Sequence, residues 1–150
     1  MPKFTIGDVA LMTGYDLVRD GQTVRRGELL EPGTDLTLNL YWQPEPGQAE
    51  RAGRTEAFVR LTNIDEQNWW FATESGREPV GASGAYRTAL PVRIPSGLAP
   101  GVYQLDVGAL TREGRPLGVK NMELVELLPT QGSIRLGPLY VTEEIGRAHV

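Results

Sequence analysis

Acid–base, nucleophilic and metal chemistry each need particular side chains close together, and this chain has few of them. It contains no cysteine and one histidine, His149. A Ser-His-Asp or Cys-His relay therefore lacks a base within the body of the chain, and thiolate or histidine zinc sites go with it. Paired carboxylates are the remaining option. Asp65 and Glu66 are neighbours in a turn, where an extended path points them apart, and Glu143 and Glu144 lie near the end of the chain. A small acid/base hydrolase needs two such groups converging on one pocket. Asn63, Asp65 and Asn68 could offer oxygens to Ca²⁺, but that ion takes roughly six to eight and no Asp-x-Asp-x-Asn-Gly loop is present. No Gly-x-Gly-x-x-Gly or Walker loop follows a strand pattern. The expectation is no catalytic residue, no metal and no cofactor.

Aromatic residues are the better lead. Trp69 and Trp70 are adjacent, so on a strand one faces the core and the other does not. An exposed indole is a platform on which the apolar side of a sugar ring stacks. Tyr41, opposite the leucine face of its own strand, is a candidate to join it, whereas Trp42 falls on the leucine face and reads as core.

The elements that would carry these residues repeat every two positions, and no segment sustains a helical period. Asp35-Leu36-Thr37-Leu38-Asn39-Leu40-Tyr41-Trp42 is the clearest case. Leu36, Leu38, Leu40 and Trp42 share one side; Thr37, Asn39 and Tyr41 share the other. Ala57, Val59 and Leu61 form a second inward set, and Tyr103, Leu105, Val107 and Ala109 a third. Further strands are expected over 4–12, 22–29, 69–73, 86–94, 119–127 and 133–141. Turn signals separate them, among them Arg19-Asp20-Gly21, Glu31-Pro32-Gly33-Thr34, Ala99-Pro100-Gly101 and Arg112-Glu113-Gly114-Arg115-Pro116. The polar stretches 43–54 and 74–84 are expected as loops. With 18 glycines and 11 prolines to turn the chain, this describes one antiparallel β-sandwich of about eight to nine strands. Its segment Leu98-Ala99-Pro100-Gly101-Val102-Tyr103 resembles a corner of immunoglobulin and fibronectin type III sandwiches, which implies a sandwich of that kind.

A net charge of −4 without a basic run leaves no electrostatic footprint for nucleic acid. No stretch approaches the roughly 20 apolar residues of a membrane span, so direct membrane insertion is not expected. The opening residues also lack the basic-then-apolar pattern of a signal peptide.

Several segments carry a resemblance. Gly14-Tyr15-Asp16-Leu17 is followed by Leu36-Thr37-Leu38-Asn39-Leu40-Tyr41-Trp42, and then by Ile94-Pro95-Ser96-Gly97-Leu98-Ala99-Pro100-Gly101-Val102-Tyr103-Gln104-Leu105-Asp106-Val107-Gly108. In that order they resemble a bacterial, Chloroflexi-type β-sandwich module, often appended to membrane polyprenyl-phosphate-dependent glycosyltransferases. Arg135-Leu136-Gly137-Pro138-Leu139-Tyr140-Val141 is similar to its closing strand. Arg60-Leu61-Thr62-Asn63-Ile64-Asp65 departs from it, standing where such modules commonly carry a histidine. The resemblance implies a non-catalytic, extracytoplasmic accessory domain, whose partners are its parent protein or neighbouring envelope domains. A carbohydrate-binding module using Trp69, Trp70 and Tyr41 is the alternative, with glycans as partner. Leu98-Ala99-Pro100-Gly101-Val102-Tyr103 also resembles the tyrosine corner of immunoglobulin-like sandwiches. There Pro100 and Gly101 shape the turn, and the Tyr103 hydroxyl bonds backbone.

The final residues, Ile145-Gly146-Arg147-Ala148-His149-Val150, are similar to a translated sequencing adapter. The expected domain is therefore 1–144, with 145–150 an artefactual tail. Without that tail the chain has no histidine, and losing Arg147 moves its charge from −4 to −5.

Overall fold

The computed structural model describes residues 4–63, 65, 67–81, 83–121 and 133–143, apart from the side chains of Trp69, Trp70, Lys120 and Asn121. Its elements run β1 (Phe4–Ile6), β2 (Ala10–Arg19), β3 (Gln22–Thr23), β4 (Leu29–Leu30), β5 (Asp35–Pro44), α1 (Ala49–Ala52), β6 (Glu56–Thr62), β7 (Asn68–Thr73), β8 (Gly76–Pro79), β9 (Tyr86–Arg93), β10 (Gly101–Leu110), β11 (Val119–Asn121) and β12 (Ile134–Val141). They form two sheets. The larger has the order β11-β1-β2-β5-β9-β8, with β3 attached to β2; the smaller has the order β4-β12-β10-β6-β7. Pairing is antiparallel except between β12 and β4, which run parallel. The chain is nearly all β and folds as a sandwich, as its alternation predicts.

The alternation of β5 sets the core. Leu36, Leu38, Leu40 and Trp42 are buried while the residues between them are not. They meet Ala57, Val59 and Leu61 of β6 and Tyr103, Leu105, Val107 and Ala109 of β10 in one cluster. Fully burying such a side chain is worth roughly 1.5–3 kcal/mol, so these alternating sets dominate the stability of the domain. The Trp42 indole donates to the Thr88 hydroxyl at 2.9 Å and stacks on Tyr86 at 6.3 Å between ring centroids, so its one polar atom is satisfied inside the core.

The element boundaries differ from the sequence reading in three places. Residues 4–12 are two strands, because Gly7 and Asp8 both take positive φ (58° and 56°) and fold β1 back on β2. A side chain at Gly7 would also press on Leu117, 3.0 Å from the added carbon. Residues 22–29 split between sheets, β3 joining the larger and β4 the smaller. The expected loops are partly ordered, since 43–54 contains α1 and 74–84 supplies β8 to the larger sheet. Short pieces of this kind bring the strands of the described residues to twelve. The part of 119–127 after Asn121 and the tail 145–150 lie outside the described residues.

Two polar clusters fasten the sandwich. Arg77 donates to both oxygens of Glu74, to the Ala52 carbonyl and to the Thr55 carbonyl, all within 2.7–3.1 Å, and lies over the Tyr86 ring. It thus ties α1 to the β7–β8 corner. At the entry to β10, Gly101 has φ 154°, a value that side-chain-bearing residues rarely adopt. Two residues on, Tyr103 is buried and its hydroxyl donates to the Ala99 carbonyl at 2.7 Å. No helix among the described residues is long and apolar enough to cross a membrane.

Candidate functional site

The outer face of the larger sheet is built by the side chains that β5 does not bury. Thr37, Asn39 and Tyr41 project there, and each neighbouring strand adds its own residues by register. On one side β2 would be out of step, but a bulge between Met12 and Gly14 resets it. Gly14 then lies opposite Tyr41, and Asp16 opposite Asn39. On the other side, β9 places Arg87 opposite Tyr41, and β8 places Glu78 opposite Arg87.

These side chains are joined. The Asn39 amide donates to one oxygen of Asp16 at 2.8 Å, and the Tyr41 hydroxyl donates to the other at 2.8 Å. Arg87 pairs with Glu78 at 2.6 Å. At one end of the strip the Gln43 amide donates to the Ser83 carbonyl at 3.1 Å. The hydrogen bond to Asp16, then burial and the Asp16 charge, push the Tyr41 phenol above its usual range, with Arg87 opposing. A carbon added at Gly14, opposite Tyr41, would meet no atom beyond its chain neighbours within 4 Å, so space is open at that position, while Asp16 two residues on reaches the Tyr41 hydroxyl.

Chemically, the strip sets acceptors on β2 and β8 and donors on β5 and β9 between them, around one aromatic ring. Its carboxylate is held from two sides in one orientation, and Arg87 keeps donors beyond the one given to Glu78. Such an arrangement can grip a ligand carrying several hydroxyls. Asp16 accepts from two neutral donors, the Asn39 amide and the Tyr41 hydroxyl.

Of the residues singled out from sequence, only Tyr41 belongs to this face. Trp69 and Trp70 lie in β7, at the border of the smaller sheet, whereas Tyr41 lies in β5 of the larger. Trp70 pairs in register with Leu61, and the two indole side chains lie outside the described residues. Trp42 and Tyr103 are in the core, and Pro100 and Gly101 in the corner that precedes β10. The Asn63 oxygen accepts the backbone amides of Asp65 (3.1 Å) and Gln67 (2.9 Å), so it closes a turn; Glu66 lies outside the described residues. Among the described residues no group of three or more acidic or histidine side chains is placed to hold a metal.

Sequence reasoning overlooked Asp16, Asn39, Arg87 and Glu78. Asn39 was within reach, since it sits two residues before Tyr41 on the same face. The others needed strand pairing, and the bulge before Gly14 hides the register of β2 from any count of alternation.

The chain matches no protein-family model and no curated protein. Among solved structures it is similar to the crystal structure of the C-terminal domain of Wzt. The two are 14% identical, the match covers 93% of this chain and 77% of that one, and the TM-score is 0.49. The resemblance to the glycosyltransferase-appended module thus rests on the quoted segments, with no family match behind it.

Proposed function

We propose that this domain is a non-catalytic accessory module that binds carbohydrate on the outer face of its larger sheet, through Tyr41, Asp16, Asn39 and Arg87. The observation that carries the reading is the Asp16 carboxylate, fixed by Asn39 and Tyr41, with open space at Gly14 opposite Tyr41. Sugars present vicinal hydroxyls and an apolar ring face. Planar Asp, Asn and Arg groups match the hydroxyls, and an aromatic ring matches the face. Because the protein already holds these side chains in place, little rotamer freedom remains to be lost on binding. The wider setting, an extracytoplasmic envelope protein such as a membrane glycosyltransferase carrying this module, is proposed from the sequence resemblance.

The test is a screen against bacterial and plant glycans followed by calorimetry on any hit. Tyr41→Ala and Asp16→Ala should each weaken binding at least tenfold, or about 1.4 kcal/mol, with the fold intact by circular dichroism. Glycan binding that both variants retain would place the site elsewhere. A protein that binds no glycan in a broad screen would overturn the reading.

A further inference from the structure

β2 lacks a neighbour on one side over part of its length. β1 pairs with it as far as Met12 and β3 joins it at Val18. The stretch between has β5 on one side and no described strand on the other. Tyr15 sits in that gap. It lies opposite Leu40, which is fully buried in the core, and cross-strand partners share a face. The Tyr15 side chain therefore projects between the two sheets, yet it is 40% exposed. Its hydroxyl donates to the Leu136 carbonyl on β12 at 3.2 Å, so the ring bridges the sheets without closing them.

The result is an inter-sheet cleft of about 600 Å³, within the size range of small-molecule sites. Leu17, Val24 and Leu136 line it beside the Tyr15 ring, and so do Arg25 and Arg26, both exposed. The other charged groups of the cleft are engaged. Glu28 pairs with Arg19, Arg135 pairs with Asp106, and Asp16 accepts from Asn39 and Tyr41. Among the described residues Arg25 and Arg26 have no carboxylate partner. Two uncompensated guanidiniums thus stand beside an apolar wall, in a chain whose net charge is −4.

We propose that this cleft binds a small anionic amphiphile. Its alkyl chain lies against Tyr15, Leu17, Val24 and Leu136, and its carboxylate or phosphate head meets Arg25 and Arg26. A guanidinium offers paired, planar donors to either head group. The apolar wall adds nothing for a bare anion, and the arginines add nothing for an uncharged chain, so tight binding needs both halves of the ligand. The Tyr41 strip faces the opposite side of the same sheet, so the two sites are separate.

Calorimetry with octyl phosphate, octanoate, 1-octanol and inorganic phosphate tests this. The two amphiphiles should bind, and octanol and inorganic phosphate should each bind at least tenfold more weakly. Arg25→Ala combined with Arg26→Ala should lower affinity for octyl phosphate at least tenfold, with octanol binding and melting temperature unchanged. In the parent protein, octyl phosphate should shift the NMR signals of Tyr15, Val24 and Leu136. No binding of either amphiphile overturns the proposal, and so does binding that survives the double substitution or shifts signals only elsewhere. Inorganic phosphate binding as tightly as octyl phosphate would also overturn it, since the apolar wall would then play no part. Glycan binding by the double variant should be unchanged, which keeps this test separate from that of the Tyr41 face.

Discussion

Asp16 and Asp106 both lie on an outer face of the sandwich, but Asp16 accepts hydrogen bonds from one neighbouring strand, β5, and Asp106 from two, β6 and β12. Asp106, on the smaller sheet, is 4% exposed. It accepts from Arg135 at 2.9 and 3.2 Å and from the Thr62 hydroxyl at 2.9 Å, with Arg60 at 4.0 Å. Beside it Phe58 is 1% exposed beneath the guanidinium of Arg60. Asp16, on the larger sheet, is half-buried and held by neutral partners, with an open glycine on its own strand. A buried carboxylate ringed by arginines is a fastening. A half-open carboxylate held by an amide and a phenol keeps acceptor capacity for something from outside. One sandwich therefore carries a buried outer-face carboxylate and a half-buried one, and residue type alone does not tell them apart.

The contrast can be broken most directly by the same substitution on each face. Asp106→Ala leaves the partly exposed Arg60 and Arg135 without their shared counter-charge and removes the bond to Thr62, and should cost about 2–3 kcal/mol in chemical denaturation. Asp16→Ala should cost about 1 kcal/mol while abolishing glycan binding. Equal costs for the two would erase the distinction. Between these extremes, Tyr103→Phe removes one buried hydroxyl bond from neither face and should cost about 1–1.5 kcal/mol, giving a scale for both.

The smallest effect concerns pH. Hydrogen bonding to Asp16 holds the Tyr41 proton beyond the ordinary phenol range, and burial does the same for Tyr103 and contributes most at Tyr86. A raised folded-state value means that the unfolded chain loses these protons first. Their contribution to stability is complete below about pH 10 and is lost as pH rises through the folded-state values. Asp16→Asn should lower the Tyr41 midpoint in an ultraviolet titration. An unmoved midpoint would show that the Asp16 bond is not formed in solution.

The core was legible because its signal is local. In β5 every second residue is apolar, and the strand needs no knowledge of its neighbours to reveal its inner face. The corner before Tyr103 was legible for the same reason, its Pro-Gly pair lying beside the tyrosine. The Tyr41 face was not, since Asp16 and Asn39 meet only after β2 and β5 pair, and the bulge at Thr13 shifts that pairing by one. The placement of Trp69 and Trp70 in the smaller sheet and Tyr41 in the larger was likewise out of reach, because sheet membership is decided by long-range pairing that adjacent residues do not encode.

The parallel pairing of β4 with β12 has a consequence for how the molecule is made. Tyr140 lies against Leu29 and Val141 against Leu30, residues from opposite ends of the chain. During synthesis β4 and β10 are complete long before the strand that fits between them leaves the ribosome. Until then β10 presents an unpaired side, and the smaller sheet cannot close. A nascent chain of this kind waits for β12, and a chain halted before Ile134 would leave β10 open to any strand that reached it first.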